Sequence, residues 1–163
     1  VLLDVFPFLL LLGGFTNWIR ILKYGDLRLR FERFPFLLGE SFAAKLVVPR
    51  LPPEVSAVGF TIRCIQERSS RPDPRRAGHG GGGGPRIFCD QVYADSCEIG
   101  NLQRDAWNSA EVRVSFLLPT GDLCTRLRDE HPRYWELEVK AAAPGARLKA
   151  VFLAPVYQRP GGA

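Results

Sequence analysis

The chain has little of the side-chain chemistry that catalytic and metal sites need. Its 163 residues include two histidines, four cysteines and no methionine. Four cysteines are too few for a disulfide-dense small scaffold, and no two of them have the Cys-x-x-Cys spacing of zinc or thioredoxin-type redox sites. No Gly-x-Ser-x-Gly, His-Glu-x-x-His or paired-carboxylate motif occurs. We therefore expect no catalytic site, no metal and no cofactor.

The basic charge is concentrated in two parts of the chain. The formal net charge is +5. Residues 68–86 hold five arginines and one aspartate, which gives +4, and residues 16–50 hold seven basic and three acidic residues, also +4. The remaining residues therefore sum to −3. The body of the protein is close to neutral, so its charge does not indicate a nucleic-acid-binding surface.

Residues 1–15 form an apolar segment whose only charge is Asp4. The run at residues 5–12 is shorter than the roughly 20 apolar residues of a membrane-spanning helix, and it lacks the basic start and cleavage site of a signal peptide. It fits the end of a transmembrane helix, an interfacial segment or an apolar element of the core. Three features favour the first: Gly13-Gly14 would end a helix, Trp18 and Tyr24 are expected at the membrane interface, and basic residues follow closely. We expect residues 1–15 to be the remnant of a membrane helix whose start lies upstream, since no methionine stands at position 1.

From residue 18 onward, apolar and polar residues alternate with the period of two that is typical of half-buried strands. The clearest strands are predicted at residues 26–34, 58–64, 111–118, 135–141 and 147–152, and less regular ones at 18–24, 41–48 and 87–93. Turn residues separate them, including Pro144-Gly145. Seven to eight short strands predict an all-β, antiparallel two-sheet sandwich over residues 16–158, with a disordered tail at 159–163.

Residues 68–86 interrupt a predicted hairpin with an insert that contains five consecutive glycines. Such a composition cannot bury enough surface to offset its ordering entropy, so we expect disorder there. The glycine run lacks the Lys-Ser or Lys-Thr of a phosphate loop. The insert is either a solvated hairpin tip or a weak contact for RNA or another polyanion. Its contact residues would be Arg71, Arg75, Arg76 and Arg86. No aromatic residue interleaves these arginines, which favours the solvated tip, and we do not expect a nucleic-acid partner.

The other polar and aromatic side chains have ordinary structural interpretations. Trp107 and Trp135 are expected to anchor the core or an edge of the sheets. Cys64 and Cys89 fall on strands that should pair, so either a cross-strand disulfide or free thiols would fit. His79 lies in the insert. One histidine and three acidic residues are expected on exposed loops: His131, Asp122, Asp129 and Glu130.

The order of these features resembles a known arrangement. The residues that carry it are Trp18, Tyr24-Gly25-Asp26-Leu27, Leu38-Gly39-Glu40, Phe60-Thr61-Ile62-Arg63-Cys64, the strand ending at Leu118-Pro119, Tyr134-Trp135-Glu136-Leu137, Pro144-Gly145 and Pro155-Val156-Tyr157. Residues 15–158 thus resemble the C-terminal portion of uncharacterised bacterial integral membrane proteins, in which membrane helices precede an arrestin-like, immunoglobulin-like β-sandwich. The resemblance implies that fold and membrane attachment, and it implies no catalytic residue.

We therefore expect a non-catalytic binding or scaffolding module, held at a bacterial membrane by residues 1–15, with a protein partner of unknown identity. Basic residues near the apolar segment and free thiols indicate the cytoplasmic side. One alternative is an accessory domain of an envelope enzyme or transporter whose active part lies in other segments. A second is weak polyanion or RNA binding through the insert.

Overall fold

The computed structural model describes residues 24–70, 86–141 and 148–159, and strands dominate this part of the chain. Several predicted features lie outside the described residues. They are the apolar segment 1–15, the predicted strand 18–24 except Tyr24, residues 71–85 of the insert, the Pro144-Gly145 turn and residues 160–163 of the tail. The strands are β1 (Arg28–Phe31), β2 (Phe36–Leu37), β3 (Ser41–Val48), β4 (Ala57–Ser70), β5 (Arg86–Gly100), β6 (Ala110–Leu117), β7 (Arg133–Ala141), β8 (Leu148–Leu153) and β9 (Val156–Tyr157).

The strands of the described residues form two antiparallel sheets and one short parallel pair. One sheet has the strand order β1-β3-β6, the other has the order β5-β4-β7-β8, and β2 pairs with β9 in parallel. Seven of these strands have four residues or more, as the alternation predicts. The all-β sandwich is therefore confirmed. The β2-β9 pair was not predicted, because two residues are too few to show alternation.

The core lies between the two larger sheets, and a single cluster of buried side chains draws on both of them. Every second residue of β3 and of β6 is buried, and the residues between them are half-buried or exposed. β4 and β7 contribute the same alternation from the opposite sheet. Their buried residues are Val58, Phe60, Ile62 and Cys64 on β4, with Trp135, Leu137, Val139 and Ala141 on β7.

β4 and β5 pair over a longer stretch than the sequence predicts. Their ladder continues to the pair Ser70–Arg86, whereas β7 pairs only with the part of β4 that ends at Gln66. The hairpin therefore extends past the sandwich as a two-stranded ribbon. An ion pair at 2.8 Å joins Arg68 to Asp90 across it. Residues 68–70 and 86, which we expected to be disordered, are thus paired, because the antiparallel ladder propagates from the sheet into them.

The register gives the sandwich two distinct ends. At the first, called here the N-terminal end, the Tyr24 carbonyl accepts a hydrogen bond from Arg50 N–H at 3.1 Å. The expectation that Tyr24 lies at a membrane interface is wrong, since its side chain is fully buried in the core. The predicted turn at Gly25 lies there with φ +75°, and an added Cβ would lie 2.9 Å from Pro49 Cβ, so glycine is required. β1 runs away from this end, since Arg28 pairs with Val47 and later residues pair further back along β3.

At the opposite end, called the far end, lie the β4-β5 ribbon, the connection from β6 to β7 and the β2-β9 pair. Two main-chain hydrogen bonds join these parts, from Leu38 N–H to the Tyr157 carbonyl at 3.0 Å and from Thr125 N–H to the Val156 carbonyl at 2.7 Å. The connection from β6 to β7, residues 118–132, is therefore fixed against β9 although it contains no strand.

Candidate functional site

β8 is an edge strand of the four-stranded sheet, and it pairs with β7 alone. The Ala154 N–H donates to the Trp135 carbonyl at 2.9 Å, so these two residues form a hydrogen-bonded pair. Hydrogen-bonded and non-hydrogen-bonded pairs alternate along an antiparallel ladder. The main-chain groups of Val151 and Leu153 therefore point away from β7, and no residue of the described ranges pairs with them.

The side chains at this edge are apolar where water-facing polar residues would be ordinary. Val151 is 45% exposed and Leu153 is 69% exposed. They lie on the outer face of the sheet, opposite to the buried Leu148 and Ala150. A strand edge with free main-chain groups and apolar side chains is a template for pairing with another chain.

An apolar groove of about 550 Å³ continues from the end of this edge. The connection 118–132 forms one wall of the groove, and two hydrogen bonds to the strands beneath hold this connection in place. Trp135 Nε1 donates to the Leu123 carbonyl at 2.6 Å, and Val156 N–H donates to Thr125 Oγ1 at 3.0 Å. The groove is therefore preformed. It is lined by Thr125, Leu127, Tyr134, Trp135, Glu136, Leu153 and Pro155.

A network of ion pairs covers the outer face of the sheet beside the groove. Glu138, which the alternation places on the wet face, is only 3% exposed. Lys140 Nζ lies 2.5 Å from its carboxylate, Lys149 Nζ lies 3.1 Å away and the Arg63 guanidinium 3.9 Å away. Hydrogen bonding from Lys140, with support from Lys149, holds the pKa of Glu138 below its ordinary value in spite of burial.

The second carboxylate of this network, that of Glu136, also forms an ion pair. Glu136 Oε1 lies 2.5 Å from Arg63 Nε. Three cations, Arg63, Lys140 and Lys149, thus pair with two carboxylates. The network gives the groove a rigid polar border on one side.

The cysteines do not form the cross-strand bridge that the sequence allowed. Cys64 lies opposite Tyr93, whereas Cys89 lies opposite Glu67, and all four cysteines are free thiols. Burial raises the pKa of Cys64 to about 11, so its thiol is a poor nucleophile. Within the ranges that the structure describes, no group of three His, Cys, Asp or Glu residues could hold a metal ion.

Of the four arginines predicted to contact a polyanion, one belongs to the part of the chain that the structure describes. Arg71, Arg75 and Arg76 lie outside the described residues, and Arg86 is placed only as the first residue of β5, paired with Ser70. Polyanion binding therefore stays a prediction. The described part of the chain contains no helix that is long and apolar enough to cross a bilayer, and residues 1–15 lie outside it.

The predictions for Trp135 and for the exposed loop residues are confirmed, whereas the prediction for Trp107 is wrong. Trp135 is a core residue, as expected, but Trp107 is 84% exposed and anchors neither the core nor a sheet edge. Trp107 lies outside every strand of the described residues, in a turn closed by the hydrogen bond from Asp105 N–H to the Ser109 carbonyl at 3.0 Å. The residues expected on exposed loops are exposed: Asp122, Asp129, Glu130 and His131.

The open β8 edge and its groove were not predicted from the sequence. Which strand lies at an edge depends on the strand order, and alternation does not reveal that order. One signal was present, because Val151 and Leu153 are apolar on the face that the pattern assigns to water.

The described strands form an all-β sandwich, and the comparison with solved structures supports the arrestin-like fold. No protein-family model matches the chain, and no curated protein matches it. Among solved structures, the chain is similar to Spo0M, a sporulation control protein from Bacillus subtilis, with 10% sequence identity and a TM-score of 0.50. The similarity covers 83% of this chain and 50% of the Spo0M chain, so this chain spans about half of Spo0M. At this identity the similarity shows the fold alone.

Proposed function

We propose that the chain is a non-catalytic binding module that captures an extended segment of a partner protein as an additional strand on β8. The observation that carries this proposal is the outward direction of the main-chain groups of Val151 and Leu153, beneath exposed apolar side chains. In strand addition, main-chain hydrogen bonds give affinity, and pockets for alternate side chains give specificity.

The groove supports a preference for apolar partner segments. An added strand would place every second side chain on the outer face, beside Val151 and Leu153. Beyond Leu153, the next such side chain meets the groove between Leu127 and Pro155. A volume of about 550 Å³ admits a large aromatic or aliphatic side chain. The expected ligand is therefore an extended segment with alternating apolar residues.

A proline at position 151 tests strand addition directly. The Val151 N–H points away from β7, so Val151→Pro removes the donor that faces a partner and keeps the ladder to β7. Ser115→Pro is the matched control. Since Leu118 N–H donates to the Glu40 carbonyl at 3.0 Å, the same alternation makes the Ser115 N–H point away from β3 at the edge of the other sheet.

The probe is a phage-displayed library of random 12-residue peptides, selected on the full chain. We expect the selected peptides to share alternating apolar residues and to bind the Ser115→Pro variant as they bind the unsubstituted protein. Binding to Val151→Pro should fall by about tenfold or more, which corresponds to about 1.4 kcal/mol. Equal binding to both proline variants, or selection of no peptide, would contradict the proposal.

We propose, as part of the same function, that residues 1–15 attach the module to a membrane. The support is an apolar segment with one charge, followed by Trp18, Arg20 and Lys23. In a flotation experiment with phosphatidylcholine vesicles, the full chain should rise with the lipid. The double variant Phe8→Asp/Leu10→Asp should remain at the bottom, because charges in the apolar run oppose insertion.

A further inference from the structure

The most exposed large apolar side chain of the described residues lies at the N-terminal end of the sandwich. Trp107 is 84% exposed. It stands on the connection from β5 to β6, residues 101–109, called here the Trp107 loop. Tryptophan is enriched at interaction surfaces, where it often carries much of the binding energy. The indole is amphipathic, which suits the boundary between water and lipid headgroups.

The Trp107 loop is firmly built, so its shape does not depend on the tryptophan. Asp105 Oδ1 accepts hydrogen bonds from the N–H groups of Trp107 at 2.9 Å and Ser109 at 2.7 Å. The Arg104 guanidinium donates to the carbonyls of Pro52, at 3.4 Å, and Val55. These hydrogen bonds hold the main chain at Trp107 in place, and its indole is exposed to solvent.

Two hydrogen bonds connect this loop to the point where residues 1–23 join the sandwich. The Tyr24 carbonyl accepts from Arg50 N–H at 3.1 Å, and the next residue, Leu51, donates to the Asn108 carbonyl at 2.7 Å. Consecutive Cα atoms lie about 3.8 Å apart, and the Cα atoms of a hydrogen-bonded pair lie about 5.5 Å apart. Two steps of each kind lead from Trp107 to Tyr24, so their Cα atoms lie within about 20 Å of each other.

The apolar segment ends close to this point along the chain. Eleven residues separate Leu12 from Tyr24, and eleven residues span at most about 40 Å even when fully extended. A bilayer that holds residues 1–15 is therefore within reach of the N-terminal end of the sandwich, where Trp107 is exposed. The β8 groove lies at the far end, so the length of the strands separates it from Trp107.

We propose that Trp107 enters the interfacial layer of the bilayer that residues 1–15 occupy. This inference rests on the proposed membrane attachment. The two contacts, at residues 1–15 and at Trp107, fix the orientation of the sandwich, with its N-terminal end on the lipid and the β8 groove turned toward a partner away from it. The ligand is the phospholipid headgroup region, and the indole binds it by partitioning and hydrogen bonding.

Fluorescence quenching tests the proposal on the full chain. In the Trp18→Phe variant, the remaining tryptophans are Trp107 and the buried Trp135. With phosphatidylcholine vesicles that carry bromine near the headgroup end of the acyl chains, we expect clear quenching. The matched control, Trp18→Phe/Trp107→Phe, should lose that quenching and should float with vesicles as before, because Trp107 is not part of the core.

Each outcome separates this inference from the membrane attachment. If neither the unsubstituted chain nor the Trp18→Phe variant floats with vesicles, attachment and the Trp107 contact are both wrong. If only the Trp18→Phe variant fails to float, Trp18 takes part in attachment, and the quenching comparison is made between the unsubstituted chain and Trp107→Phe. If it floats while aqueous iodide, but not brominated lipid, quenches Trp107, attachment stands and the Trp107 contact is wrong. If neither quencher reaches Trp107, the indole contacts another copy of the chain, which also overturns the proposal.

Discussion

Trp135 donates its indole N–H to the Leu123 carbonyl at 2.6 Å. This hydrogen bond joins a core strand to the connection between β6 and β7, which forms one wall of the groove. The Cys64 thiol lies 3.9 Å from the same carbonyl. A buried side chain of the core thus positions the wall of the proposed binding groove.

Trp135→Phe should destabilise the fold. The variant leaves the Leu123 carbonyl without its indole donor, which costs about 1–3 kcal/mol before any loss of packing. Urea unfolding followed by circular dichroism measures the change. Trp107→Phe is the same substitution at an exposed position and should stay within about 0.5 kcal/mol of the unsubstituted protein. Equal effects of the two variants would contradict the structural role of Trp135.

Leu137 and Leu153 should separate stability from binding. Leu137 is fully buried on β7, so Leu137→Ala should cost about 2–5 kcal/mol of unfolding free energy. Leu153→Ala should leave stability within about 0.5 kcal/mol, since the side chain is exposed. It should instead weaken binding of the selected peptides, as measured by fluorescence anisotropy. A Leu153→Ala variant that binds them at full strength would argue against the β8 edge as the docking site.

Glu138 should make stability depend on pH in the acidic range. Its pKa is lowered in the folded state, so it stabilises the fold while ionised. That contribution is complete above the ordinary glutamate pKa of about 4.3 and is lost as the pH falls through the lower folded value. Glu138→Gln should therefore unfold more easily than the unsubstituted protein at pH 7, and the difference should shrink on acidification.

The control for this experiment is Glu111→Gln. Glu111 makes a surface ion pair with Lys45 at 3.1 Å, and such pairs contribute about 0–1 kcal/mol. Unfolding free energies of both variants are measured in urea from pH 7 downward. A difference for Glu138→Gln that stays constant below pH 4 would mean that the carboxylate does not carry the effect.

The four thiols should react in order of their exposure. Burial raises the pKa of Cys64 to about 11, and burial also raises the pKa of Cys97. At pH 8, iodoacetamide should alkylate the exposed Cys89 first and leave Cys64 unmodified until the protein is unfolded in guanidinium chloride. Mass spectrometry of tryptic peptides gives the order. Early alkylation of Cys64 in the native protein would be inconsistent with its place in the core.

Alternation predicted the strands well where one face of a strand meets the core along its whole length. β3 has the predicted bounds, and β6 begins one residue earlier than expected. Alternation does not predict burial where the side chains of neighbouring strands cover a residue. Glu138 belongs to the wet face by pattern, and its burial depends on Lys149 of β8 and Arg63 of β4, which only the strand order brings together.

The candidate site was harder to predict than the fold for a related reason. An edge is a property of the sheet and not of the strand that occupies it. Val151 and Leu153 are apolar on the water-facing side of the pattern, but this alone does not reveal that their main-chain groups are open. Trp107 was misassigned because hydrophobicity predicts burial only on average, whereas this residue lies in a turn that hydrogen bonds to Asp105 hold outside both sheets.

The β4-β5 ribbon has a consequence for how the chain tolerates change. Because the last paired residues, Ser70 and Arg86, lie beyond the reach of β7, the hairpin separates the core from whatever sequence joins its two strands. Doubling the number of joining residues should cost only about 0.6 kcal/mol in closure entropy. Related chains can therefore differ widely in length and composition at this position, and a fusion partner or an epitope tag can be inserted there while the sandwich keeps its stability.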